Sequence, residues 1–99
     1  MLIIAGHVYV DPSDIEELVA DARATIPGAR AADGCLFFSQ TMDDPAAGSL
    51  LVLERWRDQE ALDAYLTRPG VVAIFAKWSI RMRNEVRKFD ASNERSPRE

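Results

Sequence analysis

The chain has 99 residues, 47% hydrophobic and 28% charged, which is material for one domain around one core and excludes a second. Its net charge of −4 argues against a nucleic-acid backbone as partner, because such binding is driven by Lys and Arg displacing counterions. The single cysteine, Cys35, rules out an internal disulfide.

Residues 2 to 10, Leu-Ile-Ile-Ala-Gly-His-Val-Tyr-Val, are rich in β-branched residues and closed by Asp11-Pro12, so they predict a strand. This run carries His7, is about half the length that crosses a bilayer, and does not resemble a secretory signal. A cytoplasmic protein without membrane insertion is expected. Ile15, Leu18, Val19, Ala22 and Ile26 then form one apolar stripe at helical spacing. Asp11 before Pro12, and Ser13 with Glu16 as a capping box, mark the start of that helix, and Pro27-Gly28 is expected to stop it.

Cys35 to Thr41 predicts a second strand, Asp43 to Ser49 a turn, and Leu50 to Trp56 the returning strand of a hairpin. Asp58 offers an N-cap to a helix carrying Ala61, Leu62, Tyr65 and Leu66, which Arg68-Pro69-Gly70 breaks. A further helical segment follows through Val71, Ile74, Phe75 and Trp78. Ile80, Met82, Asn84 and Val86 alternate with Arg81, Arg83, Glu85 and Arg87 as one last strand. Residues 1–90 are read as the domain and 91–99 as a polar, frayed tail.

The order is β-α-β-β-α-β, an α+β ferredoxin-like arrangement with both helices on one face of a four-stranded antiparallel sheet. Leu2, Ile4, Val8 and Val10 alternate with Ile3, Ala5 and Tyr9 on the first strand, and Leu50, Val52 and Trp56 with Leu51 and Leu53 on the third. Both faces are therefore apolar. Helices shield only one, which predicts a homodimer formed sheet face to sheet face.

Gly34-Cys35-Leu36, the Asp44-Pro45 turn, Glu54-Arg55-Trp56, Glu60-Ala61-Leu62 and Arg68-Pro69 occur in an order and spacing that resembles the antibiotic biosynthesis monooxygenase pattern, from Leu2 to Phe89. The resemblance implies a dimeric α+β barrel with a pocket between helices and sheet in each subunit. It also implies oxygenation without flavin, haem or metal, on an anthrone, a quinol or a similar small aromatic whose anion donates an electron to O₂. Trp56 matches the pocket tryptophan of the anthrone oxidisers, although plain core packing serves it equally. His7, the only histidine, aligns with a pocket asparagine of the haem degraders and would be a base near neutral pH; its alternative is a histidine bonded to the backbone or a dimer partner.

Tyr65 is the second candidate for handling a proton, and Phe38, Phe75 and Trp78 are candidate walls of the substrate pocket. Other positions depart from the family. The pocket asparagine and tyrosine of the anthrone oxidisers correspond to Val52 and Leu62, and the haem-iron histidine falls at or near Phe75, which disfavours haem degradation. Glu54 and Arg55 are read as ordering a strand edge or a dimer contact, and Arg81, Arg83 and Arg87 as a solvated face. The leading expectation is a cofactor-independent monooxygenase. An isomerase on the same frame, or a binding dimer without catalysis, are its rivals.

Overall fold

In the computed structural model, which describes residues 1–99, the expected strands and helices form with three changes at their ends. Strand β1 (Leu2–Val10) is followed by α1 (Ile15–Arg30), the hairpin β2 (Cys35–Asp44) and β3 (Ser49–Trp56), then α2 (Gln59–Leu66) and α3 (Pro69–Trp78). Two short strands, β4 (Met82–Asn84) and β5 (Arg87–Asp90), complete the antiparallel sheet. Its order is β2-β3-β1-β4, with β5 also paired to β1, so the first and third strands are central. This is the α+β, ferredoxin-like fold expected.

The first change lies at the start of α1. Asp11 caps a 3-10 turn over Pro12–Asp14 instead, accepting from the Ser13 backbone at 2.9 Å and from the Ser13 hydroxyl at 2.7 Å. Ser13 is thereby engaged, and the capping box with Glu16 does not form. Asp58 does cap α2, its carboxylate accepting from the Ala61 N–H at 2.9 Å.

The second change is that α1 runs through Pro27 to Arg30. Proline removes one helical hydrogen bond, normally reason enough to stop. Here Ala29 is fully buried and Ala32 nearly so, packed with Phe38 and Trp56, and the Gly28 carbonyl accepts from Arg68 at 3.2 Å. Tertiary contacts keep the last turn helical.

The third change divides the final strand. Met82–Asn84 pairs with Val8–Val10 and Arg87–Asp90 with Leu2–Ala5, while the Glu85 N–H donates to the His7 carbonyl at 2.9 Å. The interruption sits opposite Gly6, whose φ of +147° is a conformation that side chains disfavour. A Cβ at Gly6 would run into the Glu85 carbonyl oxygen. Gly6→Ala is therefore expected to lower stability by about 1–3 kcal/mol, from backbone strain plus displacement of the crossing strand. Thermal denaturation would measure it, and an unchanged melting temperature would show that the strand relaxes freely. Ile80, expected to begin this strand, lies in a turn and is 94% exposed.

All three helices cover one face. Leu2, Val8 and Val10 of β1, Leu50, Val52 and Trp56 of β3 and Phe38 of β2 are buried there, against residues such as Leu18 and Ala22 of α1, Leu62 of α2 and Val71 of α3. The opposite face, with Phe37, Leu51 and Leu53 each about 40% exposed, meets no helix. Residues 91–99 form no helix or strand, although Arg55 pairs with Glu94 at 3.2 Å.

Candidate functional site

Between the helices and the sheet lies a cavity of about 240 Å³. Its floor is built by the sheet residues whose side chains point at the helices: Ile4 and Val8, Leu50, Val52 and Glu54, with Gln40 from β2. Leu18, Ala22 and Thr25 of α1, Leu62 and Tyr65 of α2, and Ile74, Phe75 and Trp78 of α3 close it from above. Met82, Asn84 and Val86 form one end. Apart from Thr25, Gln40, Glu54 and Asn84 the lining is hydrophobic, and it includes no Lys, Arg or His.

Glu54 is the outstanding group. It is only 7% exposed, because it occupies the helix-facing side of β3 between Val52 and Trp56. One carboxylate oxygen accepts from the Trp56 indole N–H at 2.9 Å, the other from the Gln40 amide at a long 3.4 Å. Burial pushes the Glu54 carboxyl above the ordinary carboxylate range, and the Trp56 and Gln40 donors pull it part of the way back. A carboxyl in this state exchanges protons nearer neutrality than a surface glutamate does.

Tyr65 lines the cavity and stacks at 5.2 Å on the Trp56 ring and edge-on at 5.7 Å to Phe38. Burial raises its phenol above the usual value, the Thr25 hydroxyl opposing and the Glu54 charge reinforcing the shift. Its O–H is thus a hydrogen-bond donor that stays protonated. Trp78 is pinned as a wall: its N–H donates to Asp21 at 2.8 Å, and the Arg81 guanidinium lies 4.0 Å from the ring centroid. Lys77 bridges Asp21 and Glu17, and Arg81 bridges Asp14 and Glu17, which clamps the end of α3 to α1.

Of the residues singled out in the sequence, Tyr65, Phe75 and Trp78 come together around the cavity. His7 does not. It points to the opposite sheet face, where it pairs across the strands with Leu51, lies 3.1 Å from an Asp43 carboxylate oxygen and sits beside Tyr9. Residue parity along β1 puts it there, since Ile4 and Val8 take the helix side. Phe38 and Trp56 are also outside the lining; both are buried on the same helix-facing side of the sheet, beside the cavity, and Trp56 is inaccessible. Trp56 meets the site through Glu54 and Tyr65 and shares a packed cluster with Leu62. From the sequence alone Glu54 reads as a residue that orders a strand edge or a dimer contact. Its membership in the same alternating set as Leu50, Val52 and Trp56 was the available signal.

The model of the family described as "Antibiotic biosynthesis monooxygenase" matches residues 1–77. The chain belongs to the antibiotic biosynthesis monooxygenase family. A curated relative, the uncharacterized protein sll1783 of Synechocystis, is 32% identical over 68 residues, which cover 69% of this chain and 46% of that protein. The chain thus spans under half that relative's length. Among solved structures, Rv0793 from Mycobacterium tuberculosis superimposes with a TM-score of 0.79 at 26% identity, covering 96% of this chain and 97% of that one. A crystal structure of an antibiotic biosynthesis monooxygenase gives a TM-score of 0.79 at 21% identity, covering 94% of this chain and all of the other. PA3566 from Pseudomonas aeruginosa gives 0.80 at 20% identity, over 93% and 94% of the two chains. The last two likenesses speak for the fold alone. Val52 and Leu62 both contribute aliphatic side chains to the cavity lining.

Proposed function

We propose that this member of the antibiotic biosynthesis monooxygenase family oxygenates a small, electron-rich aromatic compound in the cavity, using O₂ and no added cofactor, with Glu54 taking the substrate's proton. The observation that carries this reading is the buried carboxyl of Glu54 opening onto an apolar, aromatic-walled cavity. Ionised Glu54 removes a proton from an activated C–H or O–H, and the resulting anion transfers one electron to O₂. Recombination of the radical pair forms the C–O bond of a peroxide. The proton held by Glu54 neutralises the peroxide, and loss of water from an anthrone-type CH₂ leaves a ketone, so that one O₂ yields one ketone and one water. Phe75 and Trp78 would flank the ring, and the Tyr65 hydroxyl would hydrogen-bond the oxygen on which negative charge collects. Exclusion of water by the apolar lining strengthens that bond.

O₂ uptake by pure protein with a panel of anthrones and hydroquinones, above the autoxidation background, tests the proposal. Uptake should be lost in Glu54→Gln and retained in His7→Ala. The same carboxyl equips the site for proton transfer alone, so turnover of a carbonyl compound without O₂ demand would make the protein an isomerase instead.

We also propose that the helix-free sheet face seats a second copy of the chain. Phe37, Leu51 and Leu53 form an apolar surface on neighbouring strands, and a two-fold axis would cover this patch with the same patch of a second copy. Sedimentation should give twice the 11.1 kDa chain mass at micromolar concentration. Leu53→Glu, which would place a charge in the covered layer, is expected to shift it to monomer. A wild-type monomer at that concentration would overturn the assignment.

A further inference from the structure

We propose that Glu54 also sets the charge of the ligand: the cavity takes compact aromatic compounds that enter uncharged with an ionisable hydroxyl, and rejects anionic analogues of the same shape. This rests on the reading of the cavity as a substrate site, but it concerns binding and holds whether or not O₂ is consumed.

The basis is the charge inventory of the cavity. Its lining contains one ionisable carboxyl, Glu54, and no cationic side chain. Of the cations just outside, two are paired with carboxylates and two are held by backbone carbonyls. Arg81 pairs with Asp14 and Glu17, Lys77 with Glu17 and Asp21, and Arg68 donates to the Gly28 carbonyl. Arg30 donates to the Phe38 carbonyl. No cationic side chain belongs to the lining to pair with an anion inside; the Arg68 charge acts on Tyr65 from outside, across its ring face at 5.6 Å. When a neutral hydroxyl compound enters and passes its proton to Glu54, one negative charge leaves the carboxylate and one appears on the ligand, so the enclosed charge is constant. A carboxylate or sulfonate would add a second negative charge to a desolvated space, which like-charge repulsion and desolvation both oppose. The loosely held Glu54 oxygen, 3.4 Å from the Gln40 amide, is the one a ligand hydroxyl would engage. The volume of about 240 Å³ is below the ~300–1,000 Å³ of typical small-molecule sites, which favours a compact ligand.

The titratable groups facing Glu54 are Tyr65 from α2 and Cys35 from β2. Burial pushes both upward, and each stays neutral while Glu54 titrates. Lowering the pH therefore removes the one negative charge of the cavity without creating another.

The probes are 2-naphthol and naphthalene-2-sulfonate, matched in ring system and differing in charge, with binding followed by calorimetry or by quenching of tryptophan fluorescence. The naphthol is expected to bind more tightly than the sulfonate by roughly tenfold or more, the factor for one pKa unit of like-charge coupling. Glu54→Gln should narrow that ratio by improving sulfonate binding. In the unaltered protein, sulfonate affinity should rise as pH falls through the Glu54 titration, a measurement that needs no variant to fold. Equal or tighter binding of the sulfonate at neutral pH would overturn the proposal, as would a ratio indifferent to both Glu54→Gln and pH. Charge discrimination without O₂ uptake would sink the oxygenase reading while leaving this inference standing.

Discussion

Glu54→Gln is expected to lower turnover by about 10²–10⁴-fold, the range over which a positioned general base contributes. The substitution keeps the shape and the Trp56 bond, since an amide oxygen can still accept from the indole, while the Gln40 amide has to turn its oxygen toward the new NH2 to stay paired. It removes the negative charge and the ability to take up a proton. Because a base works in its ionised form and burial raises the Glu54 pKa, wild-type activity should climb with pH through a midpoint above the ordinary carboxylate range. The linked effect on stability has a definite sign. A carboxyl whose pKa is raised on folding stabilises the protein below its unfolded pKa, and that contribution is lost as pH rises through the folded value. Once ionised, Glu54 is thus a net cost to the fold. The Gln variant should melt at an equal or higher temperature than the wild type at pH 7, with the difference narrowing in acid. A variant that loses stability along with activity at neutral pH would indicate that Glu54 is structural and would remove it from the chemistry.

Trp56→Ala is expected to cost about 3–5 kcal/mol, the range for truncating a large buried aromatic, and would be read by urea denaturation. Trp56 is fully inaccessible and shares its cluster with Leu2, Phe38, Leu62 and Tyr65, so truncation would leave an enclosed apolar space. Trp56→Phe separates packing from electrostatics. It retains an aromatic ring but deletes the N–H that donates to Glu54 at 2.9 Å, the bond that opposes burial in setting the carboxyl's pKa. The acidic limb of the pH–activity profile should therefore move further up in this variant. A limb that stays in place would show that Trp56 supports only the floor of the cavity and does not position or tune the acid.

These expectations place the chemistry on a residue that sequence reasoning set aside. Glu54 follows a hydrophobic run and precedes Arg55, and adjacent opposite charges at a strand end usually face water. The strand period of two assigns Glu54 to the side of Val52 and Trp56, but that assignment matters only once it is known that helices cover that side. His7 shows the converse. Its parity groups it with Ile3, Ala5 and Tyr9, and because both sets on β1 are apolar, hydrophobicity could not say which set faces the helices. Packing decided it, by directing Leu2, Val8 and Val10 against α1 and its neighbours. For Trp56 the resemblance to a pocket tryptophan was half informative: the residue adjoins the site, but through its hydrogen bond to Glu54 and its stack on Tyr65.

Local chemistry was enough for the order of strands and helices, because alternation, helical spacing, the Asp58 cap and the turns at Asp44-Pro45 and Arg68-Pro69 each act over a few residues. The family likewise was written in short segments of fixed order, from Gly34 to Pro69. Tertiary structure alone decided the rest: the continuation of α1 past Pro27, the break of the last strand opposite Gly6, the face on which His7 emerges and the burial of Glu54. Each of these depends on which distant side chains meet, and a carboxyl's protonation, like a proline's tolerance in a helix, follows from the surroundings that the folded chain assembles.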